Sequence, residues 1–105
     1  LSRGTVVHHG AFIGPEVNVG SFAIVNSSAS IDHGVRIGDY CHISTGAVVN
    51  GDVSIGNRCF VGSNSVIKQG LILEDDSKVS MGAALLKNTK PGGWYLGNPA
   101  RKYKL

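Results

Sequence analysis

Stepping along the chain by six from Val7 meets an aliphatic side chain every time: Val7, Ile13, Val19, Val25, Ile31, Ile37, Ile43, Val49, Ile55, Val61, Ile67, Leu73, Val79 and Leu85. Fourteen hits in fourteen steps is far beyond chance for a chain whose residues are 42% hydrophobic. Two places before each lies a second register of small or apolar residues, running Thr5, Ala11, Val17, Ala23, Ala29, Val35, Cys41, Ala47, Val53, Cys59, Ser65, Leu71, Ser77, Ala83. Three places after each aliphatic, Gly, Asn and Asp recur, at Gly10, Gly34, Gly46, Asp52, Asn64, Gly70, Asp76, Gly82 and Asn88. These residues tolerate positive φ at turns. Two inward side chains separated by one outward residue make a short strand, and a bend after every six residues closes a triangle after three. The pattern predicts an all-β parallel solenoid of four to five triangular coils of eighteen residues, stacked one above another. A period of six matches neither helical repeat. The repeat assigns residues 1–88 to the solenoid and 89–105 to a C-terminal extension.

The outward positions, one before each aliphatic, then fall on three faces. The first carries Val6, Ile24, His42, Phe60 and Lys78, the second Phe12, Ser30, Val48, Val66 and Ala84, and the third Asn18, Arg36, Ser54 and Ile72. Apolar residues on the outside of two faces predict closed symmetric association, and three-sided prisms side by side suggest a homotrimer. Phe22 and Tyr40 stack eighteen apart at an exposed corner, as interface contacts.

Composition alters this picture little. The chain has 105 residues, enough for one domain. A net charge of +3 does not point to nucleic acid. Half of the Lys and Arg (Lys87, Lys90, Arg101, Lys102, Lys104) sit in an acid-free tail. No apolar run is long enough for a membrane span. With no initiator Met and no signal peptide, the chain reads as a piece of a longer protein. Cys41 and Cys59 are small core residues whose parallel directions oppose a disulfide, and unpaired thiols suit the cytoplasm.

The hexad, the closing Gly97-Asn98-Pro99-Ala100-Arg101, and the stretch from Ser30 to Ile43 that holds His33 and His42 together resemble the hexapeptide-repeat acetyltransferases. The resemblance extends to bacterial sialic-acid O-acetyltransferases and UDP-4-amino-sugar N-acetyltransferases. It implies a left-handed coil and a homotrimer. It also implies an N-terminal α/β sugar-binding domain, which this chain lacks, and acetyl transfer from acetyl-CoA to a sugar hydroxyl or amine without a metal. It makes His33 the general base, a role that neutral imidazole suits. Gly51, eighteen residues on, then leaves room for the acyl group and offers a backbone N–H to the thioester oxygen. His42, Gly62, Ser63, Ser80, Met81 and Gly82 become the CoA-contacting residues, all on the first face or the corner after it. Within one chain His33 and His42 lie on opposite sides of the prism, so the expected site is shared between subunits. Related enzymes often carry an acid directly after the histidine, where this chain has Gly34. Asp32 and Asp39 are near in sequence, but strand neighbours point apart, which leaves open what orients His33. A zinc enzyme of the carbonic-anhydrase kind needs three converging histidines, and only His33 and His42 lie in the inner coils. A trimeric β-helix scaffold without chemistry is the remaining alternative.

Overall fold

The computed structural model describes residues 2–104. Two-residue strands recur every six residues from Val6 to Leu85, and eighteen-residue pairing sorts them onto three parallel sheets. The first holds β1 (Val6–Val7), β4 (Ile24–Val25), β7 (His42–Ile43), β10 (Phe60–Val61) and β13 (Lys78–Val79). The second holds β2 (Phe12–Ile13), β5 (Ser30–Ile31), β8 (Val48–Val49), β11 (Val66–Ile67) and β14 (Ala84–Leu85). The third holds β3 (Asn18–Val19), β6 (Arg36–Ile37), β9 (Ser54–Ile55) and β12 (Ile72–Leu73). Every pairing among them is parallel and joins like positions, as in Ile31 to Val49 or Val61 to Val79. The molecule is a prism with extents of 36 × 20 × 20 Å, built as the hexad predicts.

The core is the two inward registers. Val25, Ile31, Ile43, Val49, Val61, Ile67 and Val79 are inaccessible to solvent, with Ala23, Val35, Ala47 and Val53 interleaved. Where the small register turns polar, the hydroxyls are satisfied locally. Ser65 Oγ donates to the Gly62 carbonyl and Ser77 Oγ to the Glu74 carbonyl, each at 2.7 Å. Cys41 and Cys59 are free and buried, and their thiols donate to the Gly56 and Glu74 carbonyls at 3.0 and 3.2 Å. The hydrogen bond to Cys59 together with burial pushes the Cys41 thiol up, so it stays protonated.

The turns show a rule stricter than the sequence suggests. Positive φ recurs every six residues from Gly4 to Gly82, including Glu16, Phe22, Ser28, Tyr40 and Arg58. A left-handed conformation costs an ordinary residue roughly 1–2 kcal/mol, and on one corner the stacked neighbours offset it. Phe22 and Tyr40 stack at a centroid distance of 5.5 Å, and Arg58 makes two bonds to Asp76, at 2.9 and 3.1 Å. Asn88 departs from expectation. The six-residue rhythm ends at Leu85, and Asn88 is not among the positive-φ residues. Its Oδ1 instead accepts the Ile72 N–H at 2.8 Å, while Thr89 accepts from Glu74 N–H and donates its own N–H to Ile72 O. The edge of β12 is thereby closed. Beyond it, β15 (Trp94–Gly97) adds another parallel strand to the first sheet, pairing Lys78 with Trp94 at an offset of sixteen. Finally β16 (Ala100–Lys102) folds back antiparallel on β15.

Candidate functional site

His33 follows β5 at the corner between the second and third sheets. There the chain leaves its strand geometry, and the side chains of successive residues converge instead of alternating. Asp32 uses this. Its Oδ1 accepts the His33 backbone N–H at 2.7 Å and lies 3.1 Å from Nδ1 of the ring. Both bonds hold the Asp32 carboxyl below the usual carboxylate range, the backbone bond most strongly. A charged Asp32 favours the tautomer with hydrogen on Nδ1 and leaves Nε2 with its lone pair. What orients His33 is therefore its immediate neighbour. The expectation that adjacent side chains diverge holds for the strands but not for this turn.

The imidazole lies over Gly51 of the next coil, where a Cβ would come within 2.7 Å of Nε2. Any side chain there would displace the ring. Among the described residues none accepts a hydrogen bond from the Gly51 N–H. Asp52 completes the group. Its N–H donates to the His33 carbonyl at 2.9 Å, and its Oδ2 stands 3.6 Å from Nε2. Its other oxygen covers Gly34, one coil below, where a Cβ would collide with it. Asp52 was not among the candidate residues read from the sequence. Adding eighteen to position 34, where the acid is missing, would have found it. Beside it on the third face runs a groove of about 610 Å³ lined by Glu16, Asn18, Gly34, Arg36, Asp52 and Ser54.

The other candidates occupy a different corner. His42 starts β7 on the first face, half-buried, with its ring edge on Phe60 at 5.6 Å and Nε2 3.4 Å from Asn26 Nδ2. Gly62 and Ser63 form the turn after β10, and Ser80, Met81 and Gly82 form the turn stacked on it. The Gly82 N–H donates to Ser63 O at 2.8 Å. Met81 is 78% exposed, and nothing fills the space around Gly82. One chain thus brings His33, Gly51, Asp32 and Asp52 together at one corner and gathers the remaining candidates at another. Among the described residues, no three of His, Cys, Asp and Glu are grouped to hold a metal, and no helix is long and apolar enough to cross a membrane.

Comparison with known proteins follows from this geometry. A search of curated protein sequences returns no match. Among solved structures, the acetyltransferase domain of PglB from Neisseria gonorrhoeae in complex with acetyl coenzyme A superposes with a TM-score of 0.94 at 27% identity, over 95% of this chain and 49% of that one. WeeI from Acinetobacter baumannii gives 0.81 at 30% identity, over 94% of this chain and 53% of that one. A mutant of perosamine N-acetyltransferase from Caulobacter crescentus in complex with CoA and GDP-perosamine gives 0.81 at 25%, over 96% and 54%. The chain spans about half the length of each of these proteins. The hexapeptide repeat of succinyl-transferase matches residues 10–50 and 52–87, and the bacterial transferase hexapeptide of six repeats matches residues 34–69. With well over half of its length matched by the hexapeptide repeat of succinyl-transferase, the chain belongs to the hexapeptide-repeat transferase family.

Proposed function

We propose that this chain is an acetyl-CoA-dependent acetyltransferase acting on a hydroxyl or amino group of a nucleotide-linked or sialic-acid-like sugar. In this reading residues 1–88 are its transfer domain and 89–105 a C-terminal extension. The observation that carries the reading is His33 itself, oriented through Nδ1 by Asp32 and open at Nε2 above Gly51. Nε2 removes the proton as the acceptor oxygen or nitrogen bonds to the acetyl carbon. The Gly51 N–H meets the charge that grows on the thioester oxygen. The carbon–sulfur bond then breaks, and the proton held on Nε2 passes to the CoA sulfur. Two of the similar structures, the PglB domain with acetyl coenzyme A and the perosamine N-acetyltransferase with CoA, are complexes with this co-substrate or its product, which favours the same co-substrate here.

His42, Gly62, Ser63, Ser80, Met81 and Gly82 are assigned to CoA. Their common corner and the exposure of Met81 and Gly82 support that role, although Gly62 is buried against the Ser80–Met81 backbone. Because His33 lies at another corner, the assignment requires a neighbouring copy to bring the two together, and a homotrimer of prisms does so. The uncovered apolar residues of the first two faces favour this assembly, with Phe12 54%, Val66 42% and Ile24 37% exposed. We place the protein in the cytoplasm, where acetyl-CoA is at hand.

The test is calorimetry with acetyl-CoA and sedimentation on the same sample, followed by acetyl transfer to UDP-linked amino and hydroxy sugars. The expected result is a trimer binding one acetyl-CoA per subunit. His33→Ala should lose transfer by at least about a hundredfold, in keeping with removal of a general base, while binding and assembly stay intact. Wild-type turnover by His33→Ala would remove the base assignment. A trimer with no affinity for acetyl-CoA would leave the scaffold reading.

A further inference from the structure

The chemistry above leaves the Asp52 carboxylate unused, although it stands beside the reacting nitrogen. Asp32 fixes hydrogen on Nδ1, so Nε2 is an acceptor. Asp52 Oδ2, on an exposed side chain 3.6 Å away, is another. Neither carries a hydrogen, and the separation is too long for a hydrogen bond between them. In water each is met by solvent, but when an acceptor substrate displaces that water, one atom can serve both only if it brings two hydrogens. A hydroxyl brings one, and its lone pairs would face the remaining carboxylate. A neutral primary amine brings two and keeps its lone pair free for attack.

We propose that Asp52 is a specificity-determining residue of the His33 site. Nε2 and Asp52 Oδ2 together hold the two hydrogens of a primary amine, so the acceptor is an amino sugar, with its body along the polar groove of the third face. The proposal rests on the acetyltransferase reading with His33 as base and narrows it to one acceptor class. The step balances. The nitrogen–carbon bond forms, the carbon–sulfur bond breaks, and one amine hydrogen passes through Nε2 to the CoA sulfur. The second hydrogen stays on the product amide, against Asp52. The groove supports this placement, because Asp52 both lines it and reaches His33. Gly34 leaves room beneath the carboxylate that a side chain would take. Carried one coil above the usual position, the acid therefore meets the acceptor side of the ring, while Asp32 serves the other.

The chain is labelled with 15N-histidine, saturated with CoA and titrated with a UDP-4-amino-sugar or with UDP-N-acetylglucosamine, which carries a hydroxyl at that carbon. The His33 Nε2 resonance, assigned with the His33→Asn variant, should respond to the amine at a roughly tenfold lower concentration, the worth of a charge-assisted hydrogen bond. Asp52→Gly suits the φ of 59° at this position and should erase the preference while leaving the response to the hydroxy sugar in place. Asp52→Asn, which keeps one neutral oxygen, should fall between. The proposal is overturned if Asp52→Gly keeps the preference, if the wild type favours the hydroxyl or treats the two alike, or if neither sugar moves the resonance. The two readings fail differently. Full turnover by His33→Ala would sink the base assignment. Loss of turnover there, with amine transfer by Asp52→Gly unchanged, would sink only the role of Asp52.

Discussion

Gly51 is where the absence of a single methyl group sets the geometry of the site. Its φ is not left-handed, so its backbone would accept alanine without strain. The cost would fall on His33, whose ring occupies the space a Cβ needs. Gly51→Ala should therefore melt close to the wild-type temperature, yet lose roughly ten- to a hundredfold in transfer, because misplacing a reacting group by about an ångström costs that much. Circular dichroism melts beside initial rates check this, and an unchanged rate would show that His33 does not work from above Gly51. At this scale the sequence was partly readable. That His33 and Gly51 are neighbours follows from the stacking offset of eighteen. Asp32 was obscured by applying strand alternation to a residue that sits in a turn. Asp52 was obscured because its partner is not its sequence neighbour but the residue one coil below.

At the scale of the element, each strand is only two residues long and cannot exist alone. It is held by the strands above and below and by the inward aliphatic it contributes. Ile43, wholly buried between Val25 and Val61 on one sheet, is such a residue. Ile43→Ala should cost about 2–5 kcal/mol, the range for emptying a buried aliphatic site, measured by urea unfolding. A loss under about 0.5 kcal/mol would mean that the coils do not share one core. This dependence on stacking explains why the strands were so legible. The pattern that buries them is also the pattern that counts them. It explains the misses too. Phe22, Tyr40 and Arg58 take left-handed turns because the coil demands one at each corner, not because their chemistry favours it. β15 pairs at an offset of sixteen, after the aliphatic rhythm has stopped, so no periodicity announces it.

For the whole molecule, the decisive property is that two of three faces carry apolar side chains outward. If the second face is buried between copies, Val66→Glu should dissociate the trimer in sedimentation without altering the circular dichroism spectrum, since Val66 is exposed within one chain. A trimer that survived this substitution would put the interface elsewhere. The C-terminal end of the prism bears on a different hazard. A stack of parallel coils offers at its end open backbone groups on which another stack could grow, as fibres do. Here Asn88 and Thr89 occupy the edge of the third sheet. On the first sheet β16 runs opposite to every other strand, so an incoming coil meets a strand of the wrong polarity. The short tail thus leaves the first and third sheets without a free parallel edge on which another coil could grow.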